Sequence, residues 1–494
     1  MLQANEVISK TLLTIDQYKG NLKSFKHAIS EGEYAPTNDV FSRLLLWKVC
    51  LITDSLNIQN WESTLSQSRV IYHQLAKQHD MIIPWWKLSP DSAFYQSKEV
   101  SRASSVKRAR SVRRTASLKK SSLRKSIDVA DPLQSLSLSP SSSTKGRSTS
   151  SISESDEELL DTIILDVERL FPGEEFYHSP NQNALTSKRQ IISILYVWSK
   201  CNPHVRYKQG FHEILGLIYY NLHKESVVIP SSNTLSKTDF SILNLFDLHY
   251  LCHDAFTIFN KFMLQSGIIS SFYENEDVLW KSIESFNVYL MKVDQLIHYN
   301  LISKLKLESQ LWIIRYLRLL LLREFGNDLK EINLIWDKLI TIQPKHHNED
   351  PIKAIPDIVI FMIIVLLIRL KSELIVCDFG ESLSLLLHYP TLLKSSSLSK
   401  QDFSKGLVSD ALALYEIRND DLKLYEYGIK LNAKFNPNLK ITMSFNGSRT
   451  KEGQLNNSSP RPSIDTRAEQ LKFEKYRLEM RLKKKAQQLL SRSS

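Results

Sequence analysis

From residue 156 to residue 176 the chain reads DEELLDTIILDVERLFPGEEF. Leu160, Ile163, Ile164, Val167, Leu170 and Phe171 recur at i, i+3, i+4 and i+7, which puts them on one face of an α-helix, and Pro172 prevents the helix from continuing. At roughly 100° per residue, Asp166 and Arg169 point away from that face. The same period recurs outward from this stretch. Ile191 to Lys200 predicts a helix, CNPHVRYKQG (201–210) a connector, and Phe211, Ile214, Leu215, Ile218 and Leu222 another helix. LKLESQLWIIRYLRLLLLREF (305–325) is apolar nearly all round, with Glu308, Arg315 and Arg323 in one broad arc, and predicts a central buried helix. Ile332 to Ile340, Ile358 to Ile375 and the start at Gly380 to His388 extend the pattern downstream, and Val40 to Trp61 extends it upstream through Leu44, Leu45, Trp47 and Leu51. There is no internal repeat and no strand–helix alternation, so the core is expected to be all-α.

Composition agrees. In 494 residues there are only 13 Gly and 16 Pro, too little punctuation for a sandwich or barrel. The net charge of +11 is uneven: Ser101 to Ser126 holds ten Lys/Arg and no acid, and Asp465 to Ser494 holds nine basic residues against four acidic. The remainder is mildly acidic, which argues against a nucleic-acid-binding core and leaves anionic partners to the appendages. Cys50, Cys201, Cys252 and Cys377 form no CxxC and suggest neither a disulfide scaffold nor a zinc site. MLQANEVISK lacks the basic and apolar regions of a signal peptide, and the longest uncharged apolar run, Ile358 to Ile368, is shorter than a bilayer span, so a cytoplasmic protein is expected.

The chain divides by composition. Residues 1–34 read as a helical extension, and 35–98 and 156–438 as two parts of one helical domain separated by an insertion at 99–155. Nineteen serines and no aromatic residue lie between Ser101 and Ser155, a composition that cannot bury enough apolar surface to order itself. Within it Arg108-x-Arg110-Ser111 and Arg114-x-x-Ser117 resemble basophilic kinase sites; a solvated spacer is an equally good reading. Residues 439–465 read as a linker, and 466–494 as a basic amphipathic helix whose Leu471, Leu478, Leu482 and Leu489 form a narrow seam suited to a short coiled coil or a membrane surface; an exposed charged helix is an equally good reading.

Common catalytic signatures are missing: there is no GxxxxGK[ST] or GxGxxG, and His212-Glu213 lacks the second histidine of HExxH. Two polar elements beside apolar helix faces remain, IILDVERLFP and YKQGFHEIL. Arg169 is a planar cation able to chelate phosphate oxygens, and Gln209 carries both a donor and an acceptor, as needed to orient a water. On these grounds alone, Arg169 could equally pair with Asp166 at i, i+3, and Gln209 could be a solvated loop residue.

Ile163-x-x-Asp166-x-x-Arg169 and Tyr207-x-Gln209-Gly210 resemble the two signature motifs of the TBC-domain family of Rab/Ypt GTPase-activating proteins. Arg43-x-x-x-Trp47, Asn202, His212-Glu213, His253-Asp254-Ala255-Phe256, Arg315-Tyr316-Leu317, Arg323-Glu324-Phe325 and Trp336-Asp337 are similar to its other motifs in order and spacing. DVERLFPG, YKQGFHEIL and VCDFGESLSLLLHYP resemble the subgroup that holds the fungal Golgi Ypt regulator. The chain departs from the usual pattern at Leu170, Phe211 and Tyr316, where Thr, Met and Trp are common. The resemblance implies an all-helical domain that docks on a GTP-bound Rab/Ypt GTPase and supplies Arg169 and Gln209 as fingers. Asp166 would hold Arg169, Tyr207 and Gly210 would shape the loop, and GTP and Mg²⁺ would be carried by the partner, with no cofactor of the chain's own. It implies a place in vesicle traffic at Golgi or endosomal membranes, with the basic insertion and tail as possible contacts to an anionic membrane surface. The alternative is a helical scaffold that binds a Rab without accelerating hydrolysis; RNA binding through the insertion is disfavoured by its lack of aromatic residues.

Overall fold

The computed structural model describes residues 3–32, 42–97, 155–180, 182–230, 235–325, 329–345, 350–389, 400–439 and 464–492. Most of the serine-rich insertion, with Ser111, Ser117 and Ser126, lies outside the described residues.

Among the described residues the protein is all-α, with a single isolated bridge between Val227 and Asp247. The longer helices are α1 (Ala4–Gln17), α2 (Leu22–Glu31), α3 (Arg43–Lys48), α4 (Trp61–Lys77), α5 (Asp156–Glu168), α6 (Gln182–Cys201), α7 (Phe211–Glu225), α8 (Lys237–Phe246), α9 (Leu251–Gln265), α10 (Glu276–Val293), α11 (Gln310–Arg318), α12 (Leu329–Thr341), α13 (Ile355–Arg369), α14 (Phe379–Leu387), α15 (Lys400–Glu416), α16 (Asp421–Phe435) and α17 (Ile464–Arg492). Local chemistry sets many of the boundaries. Ser155 and Glu158 form a reciprocal capping box at the start of α5, Asp378 and Glu381 form another at the start of α14, and Gly32 ends α2 in the left-handed conformation.

The core is continuous. α13 is apolar on all sides because neighbours surround it: α15 packs along it, with α10, α11 and α16 around the rest. The stretch Pro351–Arg369 is long and apolar enough to cross a membrane, but 78% of it is buried inside the fold, where it serves as the central core helix. α7 packs on α9, α6 and α3, and α5 packs on α6, bringing the two polar elements of the sequence together.

The residues that precede the insertion are built into this core. Arg43 donates through Nε and Nη2 to the Asp337 carboxylate, the Nη2 bond being 2.8 Å, while Trp47 donates from Nε1 to Asp337 Oδ1 at 2.8 Å and its ring stacks on Trp336. The fully buried Asp254 receives Lys48 at 2.6 Å and Arg69 at 2.8 Å, and the two cations hold its carboxyl below the usual range despite burial. On the flanks of the insertion, Arg189 donates to the Ala93 carbonyl and Lys200 pairs with Asp156, so α6 ties both sides together.

Two expectations are corrected. The helix expected across 305–325 is broken: α11 covers only Gln310–Arg318, and Leu320 and Leu321 take left-handed backbone conformations with φ of 49° and 64°. Apolar periodicity cannot register this break, because the turn buries Leu319 to Leu322 as fully as a helix would, and the carbonyls of Arg318 and Leu320 are capped by Tyr273 Oη and Trp336 Nε1. The helix expected from Val40 to Trp61 ends in a wide turn at Val49–Thr53, with Asp54 left-handed, and Trp61 instead begins α4. In α17 a face other than the leucine seam packs on the domain. Phe473 is fully buried among Leu296, Ile375 and Val376, with Tyr476 and Met480 beside it, while Leu471, Leu478 and Leu482 are exposed.

Candidate functional site

The site forms where the end of α5 meets the connector before α7. Arg169 closes α5 at its C-cap and Phe171 turns the chain away with φ of 42°. On the other side Arg206 is also left-handed, with φ of 59°, and Gly210 takes φ of 105° at the N-cap of α7. A side chain at residue 210 would be strained by the backbone conformation and crowded by its neighbours. A Cβ there would lie 2.9 Å from Leu319 Cδ2 and 3.3 Å from the Tyr273 hydroxyl, so Leu319, which leads into the left-handed Leu320–Leu321 turn, forms a shelf against the Gln209 loop.

Asp166 joins the two segments. Its helical register points it away from the apolar face, yet it is only 5% exposed because the connector folds over it. Oδ1 accepts a bond from Arg169 Nη2, and Oδ2 accepts the Tyr207 hydroxyl at 2.8 Å. His212 Nδ1 lies 3.0 Å from the same hydroxyl. With the Tyr207 proton committed to Asp166, Nδ1–H of a neutral His212 must be the donor in that contact. Burial lowers the His212 pKa below its ordinary value, with Arg323 and Arg169 acting in the same sense against Glu213 and Asp166. Burial and the adjacent carboxylate also keep Tyr207 protonated. Beyond His212, Glu213 takes a bidentate pair of bonds from Arg323, at 2.9 and 2.6 Å.

The five residues singled out in the sequence therefore occupy one region, in different states. Asp166, Tyr207 and Gly210 are buried, whereas the Arg169 side chain is 44% exposed and Gln209 is exposed at a cleft of about 400 Å³ lined also by Tyr207, Tyr273, Trp280, Trp312 and Arg323. The i, i+3 pair between Asp166 and Arg169 is present, and it leaves the guanidinium facing solvent. The motif departures are accommodated by packing: Leu170 sits against Gly216 so closely that a Cβ at residue 216 would lie 2.8 Å away, Phe211 packs among Trp198, Phe259 and Tyr273, and Tyr316 donates to the Leu386 carbonyl.

The Rab-GTPase-TBC domain family model matches residues 131–375, which contain both polar segments of the site and the shelf. This chain carries a TBC domain. TBC1 domain family member 5 of Mus musculus is 24% identical over 260 residues, covering 48% of this chain and 30% of that protein. A TBC domain-containing protein of Schizosaccharomyces pombe is 26% identical over 217 residues, covering 42% of this chain and 31% of its own length. The chain thus spans about a third of these curated relatives. The crystal structure of the Ypt/Rab-GAP domain of Gyp1p superposes with a TM-score of 0.52 at 15% identity, covering 83% of this chain and 99% of that one, which shows a common fold. Arg43 and Trp47 lie outside the family match, but their partner Asp337 lies within it, so the TBC core of this protein includes the segment before the insertion.

Two features of the site were not singled out from sequence: His212 as a partner of Tyr207, and the Glu213–Arg323 pair. A charged or polar residue inside an apolar helical pattern must find a partner when buried, and His212-Glu213 within FHEILGL carries that signal.

Proposed function

We propose that this TBC-domain protein accelerates GTP hydrolysis by a Rab/Ypt GTPase through Arg169 and Gln209 supplied in trans. The observation that carries the reading is Asp166, which binds Arg169 with one carboxylate oxygen and Tyr207 of the Gln209 loop with the other, holding an exposed cation and an exposed amide on one buried anchor. Docked on a GTP-bound partner, Arg169 would neutralise charge developing on the γ-phosphate and bridging oxygen, and Gln209 would orient the attacking water. Nucleotide and Mg²⁺ would come with the GTPase. The resemblance of DVERLFPG, YKQGFHEIL and VCDFGESLSLLLHYP to the fungal Golgi Ypt regulator supports a role in vesicle traffic at Golgi or endosomal membranes, reached from the cytoplasm.

The test is single-turnover GTP hydrolysis by a panel of Rab GTPases with the purified full chain and its Arg169→Ala variant. Acceleration of at least one Rab, lost in the variant, supports the proposal. Binding to GTP-loaded Rab without acceleration would make the protein a non-catalytic Rab-binding scaffold instead.

A further inference from the structure

The terminal helix α17 has two apolar faces, and the fold uses one. Phe473, Tyr476 and Met480 face the domain, and the Phe473 ring meets Tyr299 edge-on at 6.2 Å. Polar contacts reinforce that dock: Lys304 pairs with Glu474, Arg477 donates to the Cys377 carbonyl at 2.7 Å, and Arg481 donates to Asp378 at 3.1 Å. At 100° per residue, Leu471, Leu478 and Leu482 fall on the opposite side of the helix. They are 65%, 65% and 61% exposed. Lys472, Lys475 and Lys483, all exposed, stand along one margin of this stripe with Glu479 among them.

We infer that this outer face of α17 is a docking surface for an anionic lipid bilayer. The charge pattern selects that occupant. The dock occupies Glu474, Arg477 and Arg481, leaving the margin of the leucine stripe positive, a balance that repels a second copy of the same helix and attracts an acidic headgroup layer. Lysine stems lie along apolar surface with their ammonium groups in the headgroup region while leucines enter the acyl boundary. Because the inner face is anchored by Phe473, the helix would bind lipid without leaving the domain.

The test is co-sedimentation of the full chain with vesicles of phosphatidylcholine alone and with about one-third phosphatidylserine. Binding should require the anionic lipid, fall with salt, and drop about fivefold for each of Lys472, Lys475 and Lys483 replaced by Gln. The triple variant L471Q/L478Q/L482Q, which keeps good helix formers, should lose at least about tenfold in vesicle binding while keeping its thermal transition. Equal binding by this variant, or equal binding to neutral vesicles, overturns the inference. A wild-type dimer in light scattering that the triple variant dissolves also overturns it, assigning the stripe to a second copy. Arg169→Ala should bind vesicles as wild type does, so this result stands or falls separately from the proposed GTPase activation.

Discussion

Asp166 is where this protein concentrates its residue-scale chemistry, since one buried carboxylate organises the arginine, the tyrosine and, through the tyrosine, the histidine. Arg169→Ala and Arg169→Lys should each cut Rab-stimulated hydrolysis by about 10³-fold or more with unchanged thermal stability, because the guanidinium is half in solvent and a lysine lacks the planar fork. Gln209→Ala should be comparably defective in the same turnover assay; normal activity would assign the water to the GTPase. His212 acts at one remove. His212→Leu leaves the Tyr207 hydroxyl without its donor, and stimulated kcat should fall about tenfold while KM for the GTPase stays put. His212→Asn, whose side-chain amide can donate from nearly the same place, should recover most of that loss, a rescue that mere cavity filling would not produce.

At the scale of elements, the site is held by turns rather than by helices. Phe171, Arg206, Gly210, Leu320 and Leu321 all have positive φ, the first three flanking Arg169 and Gln209 and the last two following Leu319, which lies against Gly210. Such conformations persist only where surrounding packing enforces them. Gly210→Ala should therefore be costly for geometry more than for folding. The new Cβ meets Leu319 and the Tyr273 hydroxyl, adding about 1–3 kcal/mol of strain that moving the Gln209 loop would relieve. Stimulated hydrolysis should drop at least about tenfold while circular dichroism remains wild-type; full activity would mean the shelf does not position the loop.

At the scale of the whole molecule, the domain is closed by contacts between segments far apart in sequence. Arg43 and Asp337 form a nearly buried bidentate pair, and Arg43→Ala leaves that carboxylate without this charge partner, with the Trp47 bond still in place. The expected cost is about 3 kcal/mol or more, read as a lower midpoint in urea denaturation. Replacing Ser101 to Ser155 by a short flexible linker should, by contrast, leave both the cooperative transition and Rab-stimulated hydrolysis largely intact, because Ala93 and Asp156 on either flank are bonded independently to α6. Loss of the transition in scanning calorimetry would show that the segment belongs to the core.

Helical periodicity by itself determined the all-α class and the core faces of α5, α6, α7 and α12, because a period of 3.6 is written into the placement of residues such as Leu160, Ile163, Ile164 and Val167 and needs no distant contact to be read. The candidate fingers were legible as motifs, Arg169 and Gln209 each lying next to an apolar stripe. Tertiary structure decided what those motifs rest on. The break at Leu320–Leu321 was invisible because burial favours leucine equally in a helix or a buried turn, and the burial of Asp166 depended on a connector some forty residues away closing over it. The docking face of α17 followed the same logic. The sequence reading picked out only its leucine seam, and it is the pocket formed by Leu296, Ile375 and Val376 that selects Phe473 and turns the leucines outward.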